Sequence, residues 1–357
     1  MRLKRITWLV LAMALCFAGL LNAMQIKSDA PQVYVVKEGD TLWDISSLFL
    51  DKPWLWPELW RNNTHITNPH LIYPGDELRL RYDDQGQPVM DIVRAEEKPR
   101  LVLSPAGKRT SKANQAIPLL PWSVIEPYLA NDMILEADVY EQLPHLLGDH
   151  NGSIRFANDD LILSGIADSS QDEYRVLRMQ SEVVDRFDNV LGVMVRHVAD
   201  VELSEAQPDS HRLVRVKQAN FELKRGDKLL PQEEVEYEDM RLEAATRQRG
   251  FIVDSLHQHG LLGKYDIVVV DLGQREVKPG TVMGIYAQGP NILDGEQPIY
   301  ESETNIVKTL FSSTEEVTQP AVKIGELVVF KTFNKASYGL ITRSREMVRQ
   351  GAIVAAP

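Results

Sequence analysis

The chain has 357 residues, with 39 Lys plus Arg against 51 Asp plus Glu, a net charge of −12 and a single Cys. The length predicts two or three domains, or one large one, and the 44% hydrophobic and 25% charged residues exclude wholesale disorder. The acidic balance argues against a nucleic-acid partner, which needs a basic face, and one Cys excludes a disulfide framework or a cysteine-based zinc site.

The first 23 residues have the pattern of a secretory signal peptide. Three cations precede a charge-free run of 16 residues, in the order Arg2, Lys4, Arg5 and then Ile6 to Leu21. Ala23 suits cleavage before Met24. We therefore predict a periplasmic or cell-envelope protein with no membrane span once the signal is removed.

Two alternatives for this segment stay open. It could remain as an uncleaved N-terminal anchor, although the run is shorter than the roughly 18–20 apolar residues of a spanning helix. It could also be a lipoprotein signal ending at Cys16, but Leu15 stands where such signals carry a small residue.

After a spacer at 24–31, residues 32–82 predict a small α+β module of the order βααβ. A hydroxyl at Thr41 and an acid at Asp44 have the spacing of a helix start. The predicted elements are a strand at Val33–Val36, a helix from Leu42 to Phe49, a helix at Glu58–Asn62 and a strand at Glu77–Arg81.

Three strings in this module, at 36–46, 59–63 and 72–78, resemble the LysM family of peptidoglycan-binding modules. The resemblance implies binding of N-acetylglucosamine-containing glycans, such as peptidoglycan or chitin, in a shallow groove between two loops. Such an uncharged ligand is held by backbone donors and acceptors on tight loops. The residues it implies are Gly39, Asp40, Thr41 and Leu42 in the first loop, and Asn68, Pro69, Leu71, Ile72, Tyr73 and Pro74 in the second.

The segment between the two helices is rich in Trp, and four of the six Trp residues of the chain lie in the module. Aromatic rings could extend a sugar platform, but a domain this small also needs large side chains for its core. We favour the core for Trp56 and Trp60, and expect Trp54 to be exposed.

Residues 83–116 are predicted to be a linker, because the segment is polar and carries Pro, Gly and Ser. Residues 117–357 are predicted to be mainly β, as barrel- or sandwich-like hairpins in one domain or two subdomains. Two short helices are expected first, at Ser123–Leu129 and Val139–Leu147. The predicted strands are Ser153–Phe156, Asp160–Gly165, Glu173–Met179, Gly192–Leu203, His211–Lys217, Asp266–Leu272, Val282–Tyr286, Leu327–Phe333 and Tyr338–Arg343, with a long loop at Ser302–Gln319.

A short sequence motif recurs in this region: an apolar residue, a basic residue, any residue and Gly, followed by a short apolar run. The copies lie at 223–231, 277–283 and 348–354. The Gly residues are Gly226, Gly280 and Gly351, and each is predicted to occupy a turn that needs positive φ.

The sequence carries few of the groups that cell-wall hydrolases use for catalysis. The only Cys lies in the predicted signal, and the Ser-x-x-Lys and Gly-x-Ser-x-Gly motifs are absent from the sequence. A zinc peptidase is suggested only by His145 with Asp149 and by His257 with His259, without the surrounding motifs. A pair of catalytic carboxylates stays open, because the chain has 51 acidic residues.

We therefore predict a non-catalytic protein, without metal or cofactor, that binds peptidoglycan glycan strands through residues 32–82 and anchors a β-rich C-terminal domain in the envelope. A cell-wall hydrolase of unrecognised type is one alternative. The other is an adaptor whose C-terminal domain binds an envelope protein partner.

Overall fold

The computed structural model describes residues 24–59, 72–93, 119–166, 171–206, 211–232, 240–256, 260–294, 298–301 and 315–357. The predicted signal and the segments at 60–71 and 94–118 lie outside these ranges. The chain divides into two compact units, Met1–Trp122 and Ser123–Pro357.

The first unit is a small sheet packed against short helices. Strands β1 (Val33–Val35), β2 (Glu77–Tyr82) and β3 (Pro88–Val93) form an antiparallel sheet in that order. Helix α1 (Leu42–Phe49), a 3₁₀ turn (Pro53–Leu55) and the single-turn helix α2 (Trp56–Leu59) pack on it. The predicted α+β module is confirmed in the described residues, and residues 60–62 of the second predicted helix fall outside them.

Strand β3 lies in the segment predicted to be a linker, so that prediction was wrong for residues 88–93. The Asp83–Gln87 turn folds β3 back onto β2, and the Asp83 carboxylate accepts N–H bonds from Gln85 (2.9 Å) and Gln87 (2.7 Å). Met90 is fully buried in the module's core. Val89, Met90 and Ile92 supply the buried side chains of this strand, and the polar composition of the surrounding segment obscured them.

The second unit begins with helix α3 (Trp122–Asn131), strand β4 (Asp132–Leu135) and helix α4 (Ala137–Gln142). The predicted helix at Val139–Leu147 ends early, because the residue before a proline avoids helical geometry and Pro144 follows Leu143. Residues Leu146–Gly148 form a strand instead.

A first sheet of the second unit curls into a ring. Its order is β12 (Lys228–Pro231), β8 (Glu173–Val184), β9 (Val190–Ala206), β10 (Arg212–Ala219), β7 (Leu161–Ser164) and β5 (Leu146–Gly148). Strand β4 adds to β9, and the short pair β6 (Arg155–Phe156) and β11 (Leu223–Lys224) lies beside the ring. A bridge between His145 and Lys228, with the Leu229 N–H bonded to the Pro144 carbonyl (2.8 Å), joins the two ends.

A second sheet forms a closed six-stranded barrel. Its order is β16 (Thr281–Ala287), β20 (Val322–Thr332), β21 (Ser337–Ser344), β15 (Ile267–Val270), β14 (Gly250–Ser255) and β22 (Ile353–Ala355), and β22 pairs again with β16. Strand β13 (Glu243–Ala244) runs parallel to β16. Closure removes the exposed sheet edges that favour aggregation, and the interior is filled by aliphatic side chains such as Val268, Leu327 and Ile341.

The mainly-β prediction is therefore confirmed, and each of the nine predicted strands overlaps an observed one. The predicted loop at Ser302–Gln319 is wrong at Glu315–Val317, which forms β19 of a small sheet with β17 (Ile292–Asp294) and β18 (Ile299–Tyr300). No helix among the described residues combines the length and the apolarity needed to cross a membrane.

Lys331, on strand β20 of the six-stranded barrel, binds the carbonyl end of helix α3. Its largely buried ammonium donates to the carbonyls of Leu129 (2.6 Å), Asp132 (2.8 Å) and Tyr128 (3.3 Å), and burial lowers the pKa of Lys331 to about 8. A cation at the carbonyl end of a helix is favourable, and those carbonyls need a donor.

We expect Lys331→Met to lower the free energy of unfolding by roughly 1–3 kcal/mol, because three carbonyl acceptors lose their donor. Urea unfolding followed by far-UV circular dichroism measures this change. Lys335→Met at an exposed position nearby is the control, and an equal loss in both variants would contradict this role.

Candidate functional site

The two loops predicted to hold the ligand are joined by backbone hydrogen bonds. The Val36 N–H donates to the Asp76 carbonyl (2.9 Å), and the Gly75 N–H donates to the Val36 carbonyl (2.8 Å). The end of β1, which leads into the first loop, is therefore fixed against the turn that precedes β2.

The first loop is organised by Asp40. Its Oδ2 atom accepts the Lys37 N–H (2.8 Å) and the Tyr34 hydroxyl (2.9 Å), and the Asp40 N–H closes the turn on the Lys37 carbonyl (3.2 Å). Burial, together with the bond to Asp40, raises the pKa of Tyr34 to about 12, so its hydroxyl remains a donor at neutral pH. Gly39, at the third position, has φ of +92°, a conformation that favours glycine.

The second loop ends in the same kind of turn. The Asp76 N–H bonds to the Tyr73 carbonyl (3.0 Å), and Asp76 Oδ2 accepts the Tyr73 N–H (3.0 Å). Gly75 takes the positive φ, at +97°. Both loops thus contain the same four-residue turn, in which the aspartate side chain at the fourth position accepts the backbone N–H of the first residue.

This turn recurs through both units. In each copy, the N–H of the fourth residue donates to the carbonyl of the first residue, and the third residue has a positive φ. Among the described residues, the turn is found at 37–40, 73–76, 157–160, 224–227, 263–266, 278–281 and 349–352. The three predicted positive-φ glycines, Gly226, Gly280 and Gly351, are confirmed within it. The resemblance between the loops of the module and the barrel turns was not predicted.

The turn at Gly39 differs from the others in one hydrogen bond. In the other six, the third residue donates its N–H to a carbonyl on a neighbouring segment, as Gly75 does to Val36 and Gly226 does to Leu146 (2.9 Å). Within the described part of the chain, the Gly39 N–H has no such acceptor, and Gly39 is exposed. The first loop therefore offers a preformed backbone donor at its surface.

Beyond Asp40 the first loop becomes helix α1. Thr41 caps the helix by accepting the Asp44 N–H (3.1 Å), as its sequence spacing predicted. Leu42 and Ile72 are 2% and 0% exposed and belong to the module's core. Their side chains cannot form a surface, so in the present conformation these residues offer a ligand only backbone groups.

The structure describes seven of the ten predicted binding residues. Gly39, Asp40, Thr41 and Leu42 lie in the first loop, and Ile72 to Pro74 lead into the second turn. Asn68, Pro69 and Leu71 lie outside the described residues. Tyr34 was missed, although the alternation of β1 sets it on the side opposite Val33 and Val35, which are each 50% exposed.

The Trp residues belong to the interior of the module. Trp56 is 2% exposed and packs in the core cluster, and Trp54 is 8% exposed. The prediction that Trp54 is exposed was therefore wrong: the 3₁₀ turn at Pro53–Leu55 carries its ring inward. Trp60 lies outside the described residues.

The residues that suggested a zinc site are not assembled in the described structure. His145 forms a backbone bridge with Lys228, and His257 and His259 fall outside the described ranges. Among the residues that are described, no three His, Cys, Asp or Glu side chains are grouped so as to hold a metal ion.

Comparison with known proteins identifies the module. Residues 34–81 match the LysM domain family, and the match includes both turns. The chain is 36% identical over 61 residues to the uncharacterized protein YqbP of Bacillus subtilis (strain 168). That alignment covers 14% of this chain and 28% of the relative, so the chain spans less than a third of that protein's length.

Proposed function

Because residues 34–81 form a LysM domain, a non-catalytic module that generally binds peptidoglycan or chitin, we propose that this protein binds the glycan strands of peptidoglycan. The contacts are the loop at Gly39–Leu42 and the loop that ends at Ile72–Pro74, with Asn68, Pro69 and Leu71 completing the second. The C-terminal unit is thereby anchored in the cell envelope, and the charge-free run at 6–21 behind three cations supports a periplasmic location.

The observation that carries this proposal is the Gly39 N–H. An N-acetyl sugar carries no charge, so its amide carbonyl is the group best suited to a preformed backbone donor. The positive φ of Gly39 and the two bonds to Asp40 fix the donor before a ligand arrives, which reduces the entropy lost on binding. No Cβ stands over this position, and nothing lies within 4 Å of where one would be.

The proposal is tested by sedimentation of the full mature chain with purified, insoluble peptidoglycan. We expect the protein in the pellet, and its release by soluble oligomers of N-acetylglucosamine. A chain that stays in the supernatant would refute glycan binding.

The same preparation tests the hydrolase alternative. Peptidoglycan carrying a covalent dye should release no soluble dye when incubated with the mature chain. Dye release that persists after the protein is repurified would refute the non-catalytic proposal and indicate a cell-wall hydrolase. An adaptor role would instead appear as a protein from envelope extracts that the pelleted complex retains and the glycan alone does not.

A further inference from the structure

A segment of the chain that lies far along the sequence sits beside the first loop. The Leu119 carbonyl accepts the N–H of Trp43 (3.0 Å), which belongs to the first turn of helix α1. The Leu119 side chain packs against the module's core, and Leu120 is 3% exposed. The chain therefore returns to the module after the predicted linker, before the C-terminal unit begins at Ser123.

The three residues that follow Asp40 are buried. Thr41, Leu42 and Trp43 are 3%, 2% and 3% exposed, whereas Gly39 is exposed. The first N–H groups of a helix have no partner within it and are ready donors to a carbonyl. Leu119 supplies one such carbonyl, the same chemical group that an N-acetyl sugar would offer.

We propose that the Leu119–Leu120 segment is an internal competitor of the glycan at the first loop. This inference rests on the proposed function. In the docked state a glycan reaches Gly39 but not the Trp43 N–H, and full engagement of the loop requires the segment to leave. A competing segment lowers the apparent affinity by the fraction of molecules in which it is undocked.

The segment also connects the loop to the rest of the protein. Only Pro121 and Trp122 separate Leu120 from the start of the C-terminal unit.

The experiment compares the mature chain with its Leu119→Ser/Leu120→Ser variant by calorimetric titration with chito-oligosaccharides. We expect the variant to bind at least about threefold more tightly, because its segment no longer docks. Val33→Ser/Leu48→Ser is the matched control, since those apolar side chains are already about half exposed, and its affinity should equal that of the unchanged chain.

Hydrogen exchange gives a second measurement on the unchanged protein. Saturation with the oligosaccharide should speed exchange of the amides of Leu119, Leu120 and Trp122, and unchanged exchange together with equal affinities would overturn the inference. A variant that binds more weakly would also overturn it, because the segment would then support the site. If neither protein binds, the proposed function fails and this inference fails with it, an outcome distinct from equal binding.

Discussion

Replacing Asp227 with Asn is expected to lower the free energy of unfolding of the C-terminal unit by about 3 kcal/mol. Asp227 is 5% exposed and receives both arms of Arg178, at 2.8 Å from Nε and 2.7 Å from Nη2. It also accepts the Lys224 N–H (2.8 Å), which closes the turn next to Gly226. One substitution therefore leaves a guanidinium without its anion and weakens the turn.

The size of this effect follows from burial. Breaking a buried pair costs about 3–5 kcal/mol, and we take the lower end because Arg178 is 32% exposed. The bond to Asp227 raises the pKa of Arg178 above its ordinary value, so the guanidinium stays charged at all working pH values.

Far-UV circular dichroism in urea measures the change in the β-rich unit. The sequence has no Trp after Trp122, so Trp fluorescence in the same samples reports mainly on the LysM module and should be unchanged. Glu222→Gln is the control: its partner is Arg155, both side chains are about half exposed, and its loss should stay within about 1 kcal/mol. Equal losses in the two variants would refute the role of the buried pair.

Replacing Trp56 with Ala is expected to destabilise the LysM module by about 3–5 kcal/mol, the cost of removing a large side chain from a packed core. Trp56 is 2% exposed and packs with Phe49, Leu59 and Ile72. A module this small has little other core to offset the loss.

The remaining Trp residues report this unfolding by fluorescence, and Leu48→Ala, at a residue 42% exposed, is the control. The result separates the two interpretations of the Trp-rich segment. A stable Trp56→Ala variant that has lost glycan binding would place this ring on a sugar platform and contradict its role in the core.

Much of the fold was predictable from local patterns. The LysM strings, the cap at Thr41 and the nine predicted strands depend on residues close in sequence, and each was found where it was expected. Strands β3 and β19 were missed because each is a short segment with polar neighbours, although β3 pairs with the adjacent strand β2. Ring closure by Leu229 and Pro144 could not be predicted, since it depends on contacts far apart in the chain.

The site was predicted to a similar degree. The resemblance supplied both loops, but it could not show that the N–H groups of Gly75 and Gly226 find a carbonyl acceptor and that of Gly39 does not. That difference depends on which backbone segment folds against each turn. The carbonyl of Leu119 left no sequence signal either: a backbone acceptor has no residue type, and its position results from folding of the chain around it.

The central claim is that the preformed first loop binds peptidoglycan. The most direct test measures how much of three proteins sediments with purified peptidoglycan: the mature chain, its Asp40→Ala variant and its Asp83→Ala variant. Both substitutions remove an aspartate that caps a turn in the same module, but only Asp40 organises the loop that carries the Gly39 N–H. We predict that the unchanged chain and Asp83→Ala bind equally and that Asp40→Ala loses at least about tenfold in affinity, the loss expected when one backbone donor is no longer held in place. Equal binding by all three proteins, or binding by none, would contradict the account.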